Sequence, residues 1–297
     1  MNPEDIRRFY AEEIRVVANL RSPELVKAFA KVPRENFLGD GPWTYATPDI
    51  LSGGINYRET ESNDPIHLYH NVPIAIDSER GLPNGQPSAI GFFIDNLDLK
   101  NGASVLHIGC GTGYFSAVMA ETVGAGGKVT AVEIETDLAA RASHNLSYLP
   151  QVNVVCGDGS SYDSGPVDAV LVNAGATAPG AIWLDNLKPG GRLIVPLTIS
   201  QAPGSMGTGM ALRVKREKNG YKARFISPIA IYHCLGGRDD EANNRLLTLM
   251  MQGKWRAVQS LRRDGHEITD SCCLHGDTAC LSALALTESA DGNAEGE

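Results

Sequence analysis

Val105-Leu106-His107-Ile108-Gly109-Cys110-Gly111-Thr112-Gly113 is an apolar strand that passes directly into three alternating glycines. Residues 114–123 then carry helical spacing and stop at Gly124, so the segment reads as strand, tight turn and helix. Glycines in such a turn let the backbone pass close beneath a ligand, and the helix N-terminus presents unpaired N–H groups. A dinucleotide fingerprint wants a further glycine or alanine one position on, where this chain has Tyr114. The pocket is therefore expected to hold a nucleotide-like ligand other than NAD.

Working outward, apolar runs at 104–108, 128–133, 152–156, 168–173 and 192–196 alternate with helical stretches, the pattern of βαβ units on a parallel sheet. Segments 210–216 and 222–225 read as a closing strand pair, with 201–209 a mobile loop before them. Upstream, Ile6, Phe9, Tyr10, Ile14 and Val17 recur at helical spacing. Ser22-Pro23 reads as an N-cap followed by proline at the first helical position, with Leu25, Val26 and Phe29 turned inward. The Gly-, Pro- and Asn-rich stretch 39–87 is expected to be mostly irregular with short strands, and 88–97 to form a helix burying Ile90, Phe93, Ile94 and Leu97. The domain reading is a substrate-side segment over 1–75, a ligand-binding domain over 76–225, a small α+β extension over 226–286, and a disordered tail over 287–297.

Two acids strengthen the glycine motif, because open α/β sheets bind ligands at the carboxyl ends of their strands. Glu133 ends the second strand about 20 residues past the glycines, where a carboxylate accepts from both hydroxyls of a ribose. Asp158, in Cys156-Gly157-Asp158-Gly159, ends the third strand and is placed to meet an adenine amino group. Together they point to S-adenosylmethionine.

The chain resembles the S-adenosylmethionine-dependent methyltransferases, and more narrowly the protein-L-isoaspartate O-methyltransferase family. The resemblance runs over about 20–200 and is carried by Val32-Pro33-Arg34-Glu35-Asn36-Phe37, the glycine turn, Gly157-Asp158-Gly159, residues 168–174, and Leu187-Lys188-Pro189-Gly190-Gly191-Arg192-Leu193-Ile194-Val195-Pro196. It implies a Rossmann-like class I fold, an α/β architecture with a mainly parallel seven-stranded sheet and helical N-terminal and small α+β C-terminal additions. It further implies cofactor contacts from His107, Gly109, Gly111, Gly113, Gly159 and Asn173 beside Glu133 and Asp158. His107 stands where the family commonly has an acid, and reads either as a histidine packed at a strand end or as a cofactor contact. The family's substrate loop reads Gly-Gln-Thr-Ile-Ser-Gln-Pro; here it is Gly81-Leu82-Pro83-Asn84-Gly85-Gln86-Pro87, with glycine at the serine position. Asn84 or Ser88 is the candidate replacement hydrogen-bonding group, in a substrate loop formed by Gly85, Gln86 and Pro87.

The expected acceptor is a carboxylate on an isoaspartyl peptide or protein, or on a related peptide or small molecule. Such a group is ionised at neutral pH and needs no general base. An amine or hydroxyl acceptor would need one, and His67 and His70 are the candidates outside the glycine motif. Nucleic-acid methylation is disfavoured: Asn173-Ala174-Gly175-Ala176 lacks the prolines of an amino-methyltransferase turn, and the net charge is −9. A degenerate cofactor-binding module is the non-enzyme alternative, suggested by His107 and Gly85.

With 297 residues, 42% hydrophobic and 21% charged, the chain can bury a sizeable core. Acids near the N-terminus and no run approaching a membrane span predict a cytoplasmic protein. Six cysteines in so long a chain are expected to be reduced thiols. Cys272-Cys273-Leu274-His275 with Cys280, and His233-Cys234, lack the repeated Cys-x₂₋₄-Cys pairs of structural zinc sites, so no metal is expected and buried thiols are the plain reading.

Overall fold

The computed structural model describes residues 2–48, 55–199, 206–276 and 278–286. Helices α1 (Pro3–Val17) and α2 (Pro23–Lys31) come first, and the Ser22 hydroxyl accepts from the Leu25 amide at 3.2 Å as the expected N-cap. Two antiparallel hairpins follow, β1 (Thr44–Pro48) with β2 (Ile55–Glu59) and β3 (Ala75–Asp77) with β4 (Leu82–Pro83), and then α3 (Pro87–Leu97). The alternating region comprises β5 (Ser104–Ile108), α4 (Tyr114–Val123), β6 (Lys128–Glu133), α5 (Thr136–Asn145), β7 (Val152–Cys156), β8 (Val167–Val172), α6 (Ala181–Asp185) and β9 (Leu187–Ile199). It closes on β10 (Gly207–Glu217) and β11 (Gly220–Ile231), and the chain continues through α7 (Asp240–Met251), β12 (Ser260–Arg262), β13 (Cys272–His275) and β14 (Cys280–Ser282).

One ten-stranded sheet has the order β13-β14-β12-β11-β10-β9-β8-β5-β6-β7. Strands β7, β6, β5, β8 and β9 are parallel, and from β9 outward every pairing is antiparallel. The seven expected strands are β5–β11. The last three extend the same sheet, and the boundary expected after 225 falls inside β11, because a long antiparallel strand leaves an edge on which β12 can pair at Tyr221 and Lys222. The expected mobile loop lies partly, and the expected disordered tail wholly, outside the described residues.

Both sheet faces are covered. Tyr10, Phe29, Phe37, Phe93, Tyr114 and Val118 build the core under α1–α4, while Leu106, Val170, Trp183, Leu193, Leu212 and Leu246 build the opposite one under α6 and α7. On α1 the buried stripe is Tyr10, Ala11 and Ile14, whereas Phe9 (74%) and Val17 (58%), which share the helical spacing, are exposed. Periodicity alone offers two apolar stripes on this helix, and α2 packs on only one. Among the described residues no helix is long and apolar enough to cross a membrane.

Candidate active site

A cavity of about 790 Å³ opens at the carboxyl ends of β5, β6 and β8. Its floor is the glycine turn. Gly109 and Gly111 have φ of +71° and +55°, and a Cβ on Gly109 would stand 3.2 Å from the Asn173 carbonyl oxygen. The backbone can therefore run this close only without side chains. Gly113 (φ +97°) does not line the cavity; a Cβ there would meet Leu146 Cδ1 at 2.7 Å, so this glycine lets α4 start against α5.

Glu133 lines the cavity and is nearly fully buried. Its Oε2 accepts from the Gly111 amide at 2.8 Å, and its Oε1 from the amides of Ile134 and Glu135 at 2.9 and 3.2 Å. Burial raises its pKa, and these three backbone donors offset only part of that rise. Oε2 keeps a free lone pair for a ligand hydroxyl. Ile134 follows it, 40% exposed on the cavity wall beside Leu138, which is an apolar surface suited to cover by a flat ring. Asp158, Gly159 and Asn173 also line the cavity. The Asp158 oxygens accept from the Ser160 amide and hydroxyl, both at 2.8 Å, and Gly159 packs so closely that a Cβ would meet Ile108 Cγ2 at 2.4 Å. Adenosine fits here: a carboxylate with a spare lone pair, glycines under the chain, and an apolar slot closed by a second acid.

Across the cavity stand Asn84, Gly85 and Gln86 with Arg80, Tyr232 and His233. Asn84 is buried; its Oδ1 accepts from Arg34 Nη2 at 3.2 Å, and its Nδ2 has no partner. Arg80 is the one Lys or Arg among the lining residues, paired to Asp77 at 2.6 Å and Glu135 at 2.7 Å. The Tyr232 hydroxyl donates to the carbonyls of Arg80 and Gly81, tying the end of β11 to this loop. Burial, and then the Arg238 charge, lower the His233 pKa, which keeps its imidazole neutral.

The sequence profile described as protein-L-isoaspartate(D-aspartate) O-methyltransferase matches residues 57–223. The chain belongs to that family. Protein-L-isoaspartate O-methyltransferase 1 of Archaeoglobus fulgidus is 35% identical over 201 residues, covering 66% of this chain and 82% of that protein. The Thermotoga maritima protein-L-isoaspartate O-methyltransferase is 34% identical over 183 residues; the match covers 60% of this chain and about half (51%) of that relative. A solved protein-L-isoaspartate O-methyltransferase superposes with a TM-score of 0.55 at 24% identity, covering 81% of this chain and 69% of the other. A Plasmodium falciparum structure bound to S-adenosyl-L-homocysteine gives 0.55 at 16% identity, over 77% and 97% of the two chains. The fold is thus that of the S-adenosylmethionine-dependent methyltransferases.

Besides Gly113, three expected contacts lie off the cavity: His107, Pro87 and Ser88. His107 is fully buried inside the sheet and turned towards α4, where Nδ1 and the Ser116 hydroxyl share a 2.7 Å hydrogen bond. It does not line the cavity, because alternation along β5 aims Ile108 there instead. Ser88 and Pro87 sit in the first turn of α3, and the Ser88 amide donates to Asn71 Oδ1 at 2.9 Å; neither lines the cavity. At the family's serine position Gly85 has φ of +89°, with Ile90 Cγ1 3.1 Å from where a Cβ would be. A serine in this backbone would be strained and would press on Ile90. His67 and His70 line a separate hollow of about 220 Å³ with Tyr45 and Glu59.

Sequence reasoning missed Arg80, Tyr232 and His233 as cavity walls. His233 reaches the site through an isolated parallel bridge to Gly175, a pairing between residues 58 positions apart that no local pattern announces. It also left Arg34 without a role. This fully buried guanidinium donates to the carbonyls of Leu68, His70 and Val72 at 2.6, 3.1 and 2.9 Å as well as to Asn84, between the rings of Tyr10 and Tyr114.

Proposed function

We propose that this chain esterifies the free carboxylate of L-isoaspartyl residues in peptides and proteins, using S-adenosylmethionine. The observation that carries the reading is the continuity of one cavity from Glu133 and the glycine turn to an acceptor wall holding Arg80 and a neutral His233. Glu133, Asp158 and Gly111 would hold the adenosine end. When bound, S-adenosylmethionine supplies an electrophilic methyl group on its sulfonium. Arg80, held between Asp77 and Glu135, stands at the rim with guanidinium donors near the acceptor, and Tyr232 fixes the loop that carries it. The apolar walls from Ile90, Phe115 and Ile229 exclude water, so alignment supplies most of the acceleration and no proton need be removed. Gly85 supports a second acceptor, a carboxylate on a specialised peptide or small molecule, since its φ of +89° disfavours a serine in this loop. The six cysteines are all free thiols, which supports a cytoplasmic setting.

Incubation with methyl-labelled cofactor and an isoaspartyl peptide beside its aspartyl twin is expected to label the isoaspartyl peptide alone, and mild base to release the label. A label that survives base would exclude a carboxylate ester. Label on neither peptide, with turnover on another carboxylate, would favour the second acceptor.

Glu133→Ala is expected to weaken S-adenosylmethionine binding by roughly one to two decades, the equivalent of about 1.5–3 kcal/mol for a charged hydrogen bond. Titration calorimetry showing unchanged affinity would remove Glu133 from the site.

A further inference from the structure

We propose that His266, Cys272, His275 and Cys280 bind one structural zinc ion. The four residues come from the loop after β12, from β13 and from β14, and one donor atom of each lies within 4.8 Å of all the others. Tetrahedral zinc, with Zn–S near 2.3 Å and Zn–N near 2.05 Å, separates its donor atoms by about 3.3–3.8 Å. His266 Nε2 and Cys272 Sγ already stand 3.5 Å apart, and no pair of donor atoms is farther apart than 4.8 Å.

The surroundings favour a metal over a packed group of thiols and imidazoles. His275 Nδ1 is buried without a hydrogen-bond partner, and Cys280 Sγ meets only the neighbouring Leu281 carbonyl at 3.7 Å and the Cys272 thiol, itself one of the four. Polar atoms left this way are costly unless a ligand takes them up. His266 Nδ1 lies 2.8 Å from the Asp264 carbonyl oxygen, so it carries the proton and leaves the Nε2 lone pair facing Cys272. A backbone carbonyl on the distal nitrogen is the outer contact that orients metal-bound histidines.

The spacing is Cys-x₂-His and His-x₄-Cys, preceded by His266 six residues before Cys272. Each short pair mixes the two ligand types, so a search for paired cysteines passes over it. Two thiolates and two imidazoles suit zinc, and four protein ligands leave no open position for chemistry. None of the four lines the methyl-transfer cavity. The role is structural: β12, β13 and β14 have only three, four and three residues, and the ion would tie the loop over 263–271 to the hairpin at its His275–Cys280 pair.

The full chain, prepared without a polyhistidine tag and with thiols reduced, is expected to contain about one zinc per molecule by mass spectrometry of metals. Replacement by cobalt should give tetrahedral visible bands and a thiolate charge-transfer band. Cys272→Ser and Cys280→Ser should each weaken zinc binding by more than about 100-fold, beyond the roughly tenfold to 100-fold effect of losing an outer contact. Cys273→Ser should retain the ion. Because the serine variants could lose the local fold, His275→Cys serves as the second arm: it should keep one zinc and intensify the cobalt–thiolate band. Reduced wild-type protein that holds no stoichiometric zinc and takes up no cobalt would overturn the proposal. So would a Cys272–Cys280 disulfide in protein isolated anaerobically, or zinc retained in both serine variants.

Discussion

Replacing His107 by glutamine is expected to flatten the acid limb of the protein's stability curve. The imidazole is fully buried, and burial alone holds its pKa at about 3, against 6.5 for an exposed histidine. Its Nδ1 is bonded to Ser116 and its Nε2 has no partner, so nothing nearby favours a proton there. The folded pKa is depressed, which for a base means that the unfolded chain binds the extra proton first. Stability from this site is full above pH 6.5 and is lost as the pH falls from 6.5 towards 3. At about 1.4 kcal/mol per pH unit the loss reaches roughly 4–5 kcal/mol across that window. Urea midpoints of wild type and His107→Gln, measured at half-unit intervals of pH, check this. Wild type should fall more steeply by nearly one proton. Parallel curves would mean that His107 is reached by water or changes partner.

Arg34→Met is expected to lower the unfolding free energy by about 3–5 kcal/mol. Methionine fills the aliphatic part of the space between Tyr10 and Tyr114 and removes every donor. The carbonyls of Leu68 and Val72 and the Asn84 side-chain oxygen lose their donor together, while the His70 carbonyl keeps the Val72 amide at 2.8 Å. Each buried acceptor left alone costs about 1–3 kcal/mol, and water reaching the half-buried ones offsets part of the total. Since those acceptors span 68–84, the substrate-side loop should loosen too, with a higher KM for peptide and a smaller change for the cofactor. Equilibrium denaturation combined with hydrogen exchange over 68–86 tests both. A stability change below about 1 kcal/mol, the size of a single ordinary hydrogen bond, would show that the guanidinium does not hold the loop.

These two residues also mark what could be read from the chain. The strand, glycine turn and helix at 105–123 were legible because conformation and ligand approach there depend on adjacent residues, and Glu133 followed from the length of one βα unit. Arg34 sat in a recognisable stretch, yet its partners lie 34–50 positions away, and no local rule supplies them. The strand at 104–108 was identified, but the face that His107 takes depends on which layer covers it. The C-terminal region was the least legible: its ligating residues alternate in type, and β12–β14 are too short to show a period.

Glycine and serine codons can differ by one nucleotide, so the missing hydroxyl at position 85 looks like an easily reversed loss. The main chain makes it otherwise. At φ +89° a serine would carry about 1–3 kcal/mol of backbone strain and press on Ile90, so the hydroxyl would come back in the wrong place. The two forms of the loop are therefore separate optima in sequence space, with a less fit single mutant between them. Directed evolution towards the serine-bearing loop would need 82–86 and Ile90 randomised together, and a saturation library at 85 alone should return glycine.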